Sequence, residues 1–201
     1  MDAIETLMSE HRLIERALDS LVAFADEVSR KTTDEKEELG RYVTFIRAFA
    51  DAYHHGKEED ILFAAMVEAG FSRESGPIAV MLWEHDQGRA HVRALAGLAA
   101  QAGPWTAEDR QGLAEHANGF AMLLRQHIHK EDAILYPMAE QRLPRAVMAR
   151  VCLDCEAYER RKIGSGEHER LRSLAEELTS RHALLAREDP EAPVCGHVCG
   201  S

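Results

Sequence analysis

The chain has 201 residues, 45% of them hydrophobic and 29% charged, with a net charge of −11, the usage of a soluble domain with a sizeable core. The acidic balance and the lack of a basic run make nucleic acid a poor partner, and no stretch is long and apolar enough to cross a membrane. The opening Met1-Asp2 carries neither a basic n-region nor an apolar signal segment, so the expectation is a cytoplasmic protein. Its four cysteines are then expected as thiols, metal ligands or redox groups rather than as a disulfide frame.

Helical periodicity dominates, and no segment alternates like a strand. Asp2 with Glu5 is expected to cap the first helix and Thr32 with Glu35 the second. Pro77 follows the Ser75-Gly76 break before the third, and Thr106 with Asp109 starts the fourth. Steps of three and four trace a buried stripe on each helix. The first stripe contains Ile4, Leu7, His11, Ile14 and Leu18, and the second Ile46, Ala50, His54, Glu58 and Ile61. The third contains Ile78, Met81, His85, Gly88 and Val92, and the fourth Phe120, Leu124, His127, Glu131 and Ile134.

Each stripe is apolar except where it holds His or Glu. A buried, unpaired carboxylate costs several kcal/mol, and a domain's whole net stability is only ~5–15 kcal/mol. A single core histidine is unremarkable, but polar groups on every stripe point to a shared cation. The chain also repeats itself. His54-His55-Gly56-Lys57-Glu58 corresponds to His127-Ile128-His129-Lys130-Glu131, and Glu10-His11 to Glu84-His85. Two αα-hairpins, each with one His and then a His-x-x-x-Glu, predict an all-α, up-down-up-down four-helix bundle. Residues four apart differ by about 40° around a helix, so such a His and Glu meet one ion from the same side. Imidazole with carboxylate suits iron, manganese or zinc.

These motifs resemble the hemerythrin-like, or HHE cation-binding, family over roughly residues 3–142. The resemblance implies a bundle of hemerythrin type and a non-haem centre of two iron ions, oxo- or hydroxo-bridged. Its implied ligands are His11, His54, Glu58, His85, His127 and Glu131. His55 and Glu59 keep the same spacing as His54 and Glu58, so that choice stays open. The oxygen-carrying members are similar but supply five histidines, two of them four apart on the third helix. Here the position four after His85 is Arg89.

The bundle is expected over 1–143, a helical extension over 144–187 and a flexible tail over 188–201. The extension reads as one helix to about Lys162, a glycine break, and a second helix carrying His168-Glu169, with His168 a candidate fifth histidine. His91, His116, His129 and His182 lack phased partners. Cys152 and Cys155, with Cys195 and Cys199 in the tail, are candidates for a zinc site or a reversible dithiol. The expected function is binding of, or reaction with, dioxygen, nitric oxide or peroxide. The alternatives are a peroxidase drawing electrons from the cysteines, or an iron store or donor.

Overall fold

Capping residues set where the chain turns. Asp2 and Glu5 form a reciprocal cap, the Glu5 amide donating to Asp2 Oδ1 at 2.8 Å, and helix α1 (Ala3–Lys31) runs from it. The computed structural model describes residues 2–162 and 166–183. Thr32 does not cap the second helix. It ends α1 instead, in a left-handed conformation at φ +52°, and Glu35 precedes α2 without a side-chain cap.

Helix α2 is one rod over 36–68. Its ends, Lys36–Phe45 and Phe63–Glu68, are α-helical, and two segments between them, Ile46–His55 and Glu58–Leu62, are π-helical. Helix α3 (Gly76–Ala100) begins with Pro77 in its first turn. The Thr106–Asp109 capping box forms as expected and starts α4 over 107–142, which is π-helical at Glu131–Leu135. Helices α5 (Arg145–Lys162) and α6 (Glu167–Ala183) complete the described chain. There is no strand among the described residues, and no helix among them is long and apolar enough to cross a membrane.

Helices α1 to α4 form an up-down-up-down bundle, with α1 and α3 both against α4, and α2 against α3. The apolar core falls into two clusters. One holds Leu18, Leu21, Phe45, Leu95 and Leu113, the other Leu7, Leu62, Phe63, Met81 and Leu135. The histidines and glutamates of the motifs lie between them in sequence on all four helices, so a polar layer crosses the middle of the bundle.

The extension shares this core. Leu171, Ala175 and Leu178 of α6 are fully buried in the first cluster, and Val151 and Cys155 of α5 join the second. Ser20 Oγ donates to the Leu178 carbonyl at 2.7 Å, and the Tyr158 hydroxyl donates to the Ala52 carbonyl at 3.1 Å. Tyr158 explains Gly56: a Cβ there would overlap the Tyr158 hydroxyl. The corresponding residue of the second hairpin, His129, is exposed and free of this constraint. The expected tail, with Cys195 and Cys199, lies outside the described residues.

Truncating a fully buried leucine leaves a cavity and costs ~2–5 kcal/mol. Leu178→Ala should therefore lower the urea midpoint of the whole bundle in one transition. An unchanged midpoint would mean that α6 is not part of the core.

Candidate metal centre

A π-turn holds more residues than an α-turn, because its hydrogen bonds reach from i to i+5, and π-bulges recur at functional sites. All three π-helical segments here flank or contain motif residues. Their wider turn changes which side chains face inward. His54, His55 and Glu58 are all buried, and inward phase then passes to Leu62 and Leu135. Ile134, expected on the buried stripe, is 52% exposed for this reason.

Two groups of ligand-type side chains result. His55, Glu58, His85 and His127 form one, and His11, His54, Glu58 and Glu131 the other, with the ligand atoms of each group within 4.8 Å of one another. Glu58 belongs to both. Glu131 Oε2 also spans the divide, 3.3 Å from His11 Nε2 and 3.2 Å from His127 Nε2. All seven residues are buried.

Four of the histidines are braced through the nitrogen that faces away from the centre, and the braces repeat with the duplication. His54 Nδ1 lies 2.8 Å from Glu10 Oε2, and His127 Nδ1 3.0 Å from Glu84 Oε2. Lys57 and Lys130 hold the second oxygens of those two glutamates. The other pair crosses between hairpins: His11 Nδ1 lies 2.7 Å from Asp132 Oδ1, and His85 Nδ1 2.7 Å from Glu59 Oε1. A carboxylate can only accept, so each Nδ1 carries a proton, and a ring that is otherwise neutral presents a bare lone pair at Nε2. His85 Nε2 and His127 Nε2 then face each other at 3.0 Å.

Two neutral rings so placed would set lone pair against lone pair, so the pair needs a proton or a metal cation there. Further buried atoms ask for the same: His54 Nε2, Glu58 Oε2 and Glu131 Oε1 have no hydrogen-bond partner, and Glu131 Oε2 has only the His11 and His127 rings beside it. Left to protons alone, the layer charges unevenly. Burial raises the Glu58 carboxyl, and the Glu131 charge beside it adds to the effect. Burial also opposes charge on Glu131, but His127 and His11 outweigh it and hold Glu131 well below the usual carboxylate range. Burial works against the imidazoliums too. At His11 the carboxylates of Asp132 and Glu131 overcome it and push the ring up to about 9, and at His127 the charge of Glu131 and its bond with Glu84 push it up to about 10. Burial, with His85 nearby, lowers His55 to about 3. Five imidazoles and two carboxylates around shared space fit a pair of divalent or trivalent ions.

The hemerythrin HHE cation-binding domain model matches residues 2–139. The chain belongs to this family. Similar curated proteins include three uncharacterised mycobacterial proteins, one from Mycobacterium bovis and two from strains of Mycobacterium tuberculosis. Each is 24% identical over 138 residues, covering 67% of this chain and 52% of the relative. The chain thus spans about half the length of the curated relatives it matches. No solved structure matches it.

Within this hemerythrin domain the structure brings together His11, His54, Glu58, His85, His127 and Glu131, and adds His55. Between His54 and His55 there is no choice to make, since both reach the centre. Glu58 joins the groups, while Glu59 braces His85. Arg89, which stands where the oxygen carriers have a histidine, donates to Glu59 at 2.7 Å and to Asp51 at 2.9 Å.

His168 is not brought to the centre. Its ring packs against Tyr53 and Phe49, with Nδ1 3.9 Å from Glu159, while His55 stacks on His85 with ring centroids 3.8 Å apart. The fifth histidine thus comes from the bundle itself. A signal for it was present in the repeat, because position 55 corresponds to Ile128, an apolar and buried residue of the other hairpin.

The Tyr136 hydroxyl donates to Glu58 Oε1 at 2.5 Å. His91 and His116 face each other at 3.2 Å, away from both groups. Cys152 and Cys155 belong to neither group and form no metal-capable cluster among the described residues. The zinc expected at the cysteines is therefore unsupported.

The two lysine braces differ in burial. Lys57 is 2% exposed and Lys130 33%. Lys57→Met strands a buried Glu10 charge, and removing one partner of such a pair costs about 3–5 kcal/mol. Lys130→Met should cost clearly less, because water can reach Glu84. Denaturant titrations of the two variants compare them, and equal losses would show that burial does not set the strength of these braces.

Proposed function

We propose that the two groups hold a pair of non-haem iron ions, and that this centre binds or reacts with dioxygen, nitric oxide or peroxide. The observation that carries the reading is Glu58, a fully buried carboxylate common to both four-residue groups. His11, His54, His55, His85, His127, Glu58 and Glu131 would be the ligands, with the two glutamates between the ions. Five histidines remove the shortfall implied by Arg89, so the donor set resembles that of the oxygen-carrying hemerythrins in number. A ferrous pair held by these residues would supply the redox chemistry, up to two electrons for a small ligand.

The chain's own residues do the rest. Glu10, Glu84, Asp132 and Glu59 keep four imidazoles aimed inward. The Tyr136 hydroxyl holds one oxygen of Glu58 and lies 3.4 Å from His11 Nε2, so it limits how far that carboxylate can swing. The two apolar clusters flank the layer on either side along the bundle.

Two observations on the described residues support ligand binding over the alternatives. A thiol-fed peroxidase needs a reactive thiolate near the centre. Cys155 is instead packed in the second apolar cluster, and burial pushes its thiol up to about 11. An iron store needs space for many ions, whereas this layer is closed by seven buried side chains.

Protein produced with adequate iron should contain about two irons per chain by metal analysis. His55→Ala should lower that content, while His168→Ala and His116→Ala should leave it near the parent value. One tightly held zinc with no iron uptake would refute the reading. Full iron content in His55→Ala, with loss in His168→Ala, would return the fifth ligand to the extension. Anaerobic reduction followed by air, nitric oxide or peroxide then separates stable binding, seen as a persistent absorption band, from repeated consumption of peroxide.

A further inference from the structure

Beside His55 and His85 the bundle holds a cavity of about 170 Å³, lined by α2, α3 and α4. Part of its wall is apolar, Ile46 and Ala50 from α2, Val92 from α3, Phe120 and Leu124 from α4; two carboxylates also line it, Asp51 paired with Arg89 and Glu84 with His127 and Lys130. Gly88 keeps it open, since a Cβ there would stand 3.3 Å from Phe120 Cε2 and point toward it. The stacked rings of His55 and His85 form part of the lining at the polar layer.

Arginines from two helices line the same cavity at its exposed rim, Arg47 from α2 and Arg93 from α3. Nearby Arg89 is engaged by Asp51, Glu59 and Asp86. Among the described residues no carboxylate pairs with Arg47 or Arg93.

These properties exceed what a diatomic ligand requires. An apolar cavity of about 150 Å³ admits benzene, so this one has room for a body of about six carbon atoms. A guanidinium offers a planar fork that matches a carboxylate, and two unpaired ones at a rim favour an anion over a neutral or cationic head. We propose that the cavity binds a small organic carboxylate with an apolar body of about six carbons. Its head lies between Arg47 and Arg93, and its tail runs inward toward His55 and His85.

The recognition elements are the arginines and the apolar walls, so the site does not depend on the metal reading above. A ligand seated there would lie across the approach to His55 and His85, which gives the protein a means of admitting or excluding small ligands according to an organic acid.

Calorimetric titration of the full chain, both iron-loaded and metal-stripped, with hexanoate, hexanol, hexylamine and acetate tests the proposal. Hexanoate should bind once per chain in both forms. The other three should bind at least about tenfold more weakly, a step of ~1.4 kcal/mol. The Arg47→Gln/Arg93→Gln double variant, altered only at exposed positions, should lose at least about tenfold in hexanoate affinity and keep its melting temperature. Gly88→Leu should abolish binding by filling the cavity. Hexanol binding as tightly as hexanoate, undiminished affinity in the arginine variant, or no saturable binding would each overturn the proposal. Hexanoate binding only to iron-loaded protein would overturn it too, because the carboxylate would then be a metal ligand. Failure of the iron reading would leave binding to stripped protein untouched.

Discussion

Two carboxylates, Glu58 and Glu131, lie fully buried in the middle of the bundle among five imidazoles. No arrangement of protons satisfies that layer evenly. Glu131 keeps its charge only by holding His11 and His127 as imidazoliums, and Glu58 is driven toward neutrality by burial and by Glu131. A pair of cations would satisfy both glutamates and the bare imidazole nitrogens together. The apolar clusters on either side can afford to bury the layer only because this charge is balanced within it.

The bracing residues turn the layer into a joint between the two hairpins. Glu10 and Glu84 each hold a histidine of their own hairpin, but Asp132 holds His11 and Glu59 holds His85 across the repeat. Sliding one hairpin along the other by a turn would break both crossed contacts and leave charged groups buried without partners. The geometry of the centre and the register of the bundle are therefore the same constraint. Buried polar contacts of this kind select one packing among several that apolar contacts alone would tolerate.

The two copies have diverged where their surroundings differ. Position 55 is histidine in the first hairpin, and its counterpart Ile128 stays apolar. Position 56 is glycine beneath Tyr158 of the extension, and its counterpart His129 is exposed. Helices α5 and α6 lie against α1 and α2, so the first hairpin carries the described part of the extension. The extension closes the core by burying Leu171 and Leu178, and among the described residues it supplies none to either ligand group.

The all-α class, the up-down-up-down bundle and six of the seven ligand-type residues that the structure groups together were legible in the sequence. Helical periodicity and a duplicated His-x-x-x-Glu are local patterns, and the cost of burying charge applies to any bundle that contains them. Local pattern failed where the helix itself departed from α geometry. The π-turns brought His55 inward beside His54 and turned Ile134 out, and a stripe stepped by threes and fours assumes the α period throughout. Thr32 failed for a related reason: a capping pattern fits the end of one helix and the start of the next, and the length of α1 decided which. The role of His168 was likewise settled in three dimensions. A linear pattern does not say where the second extension helix docks, and the apolar contacts of Leu171, Ala175 and Leu178 chose the place that sets His168 against Tyr53 and Phe49. The braces from Asp132 and Glu59, 121 and 26 residues from the histidines they hold, belong to tertiary structure alone, because nothing in a linear pattern says which carboxylate will stand behind which ring.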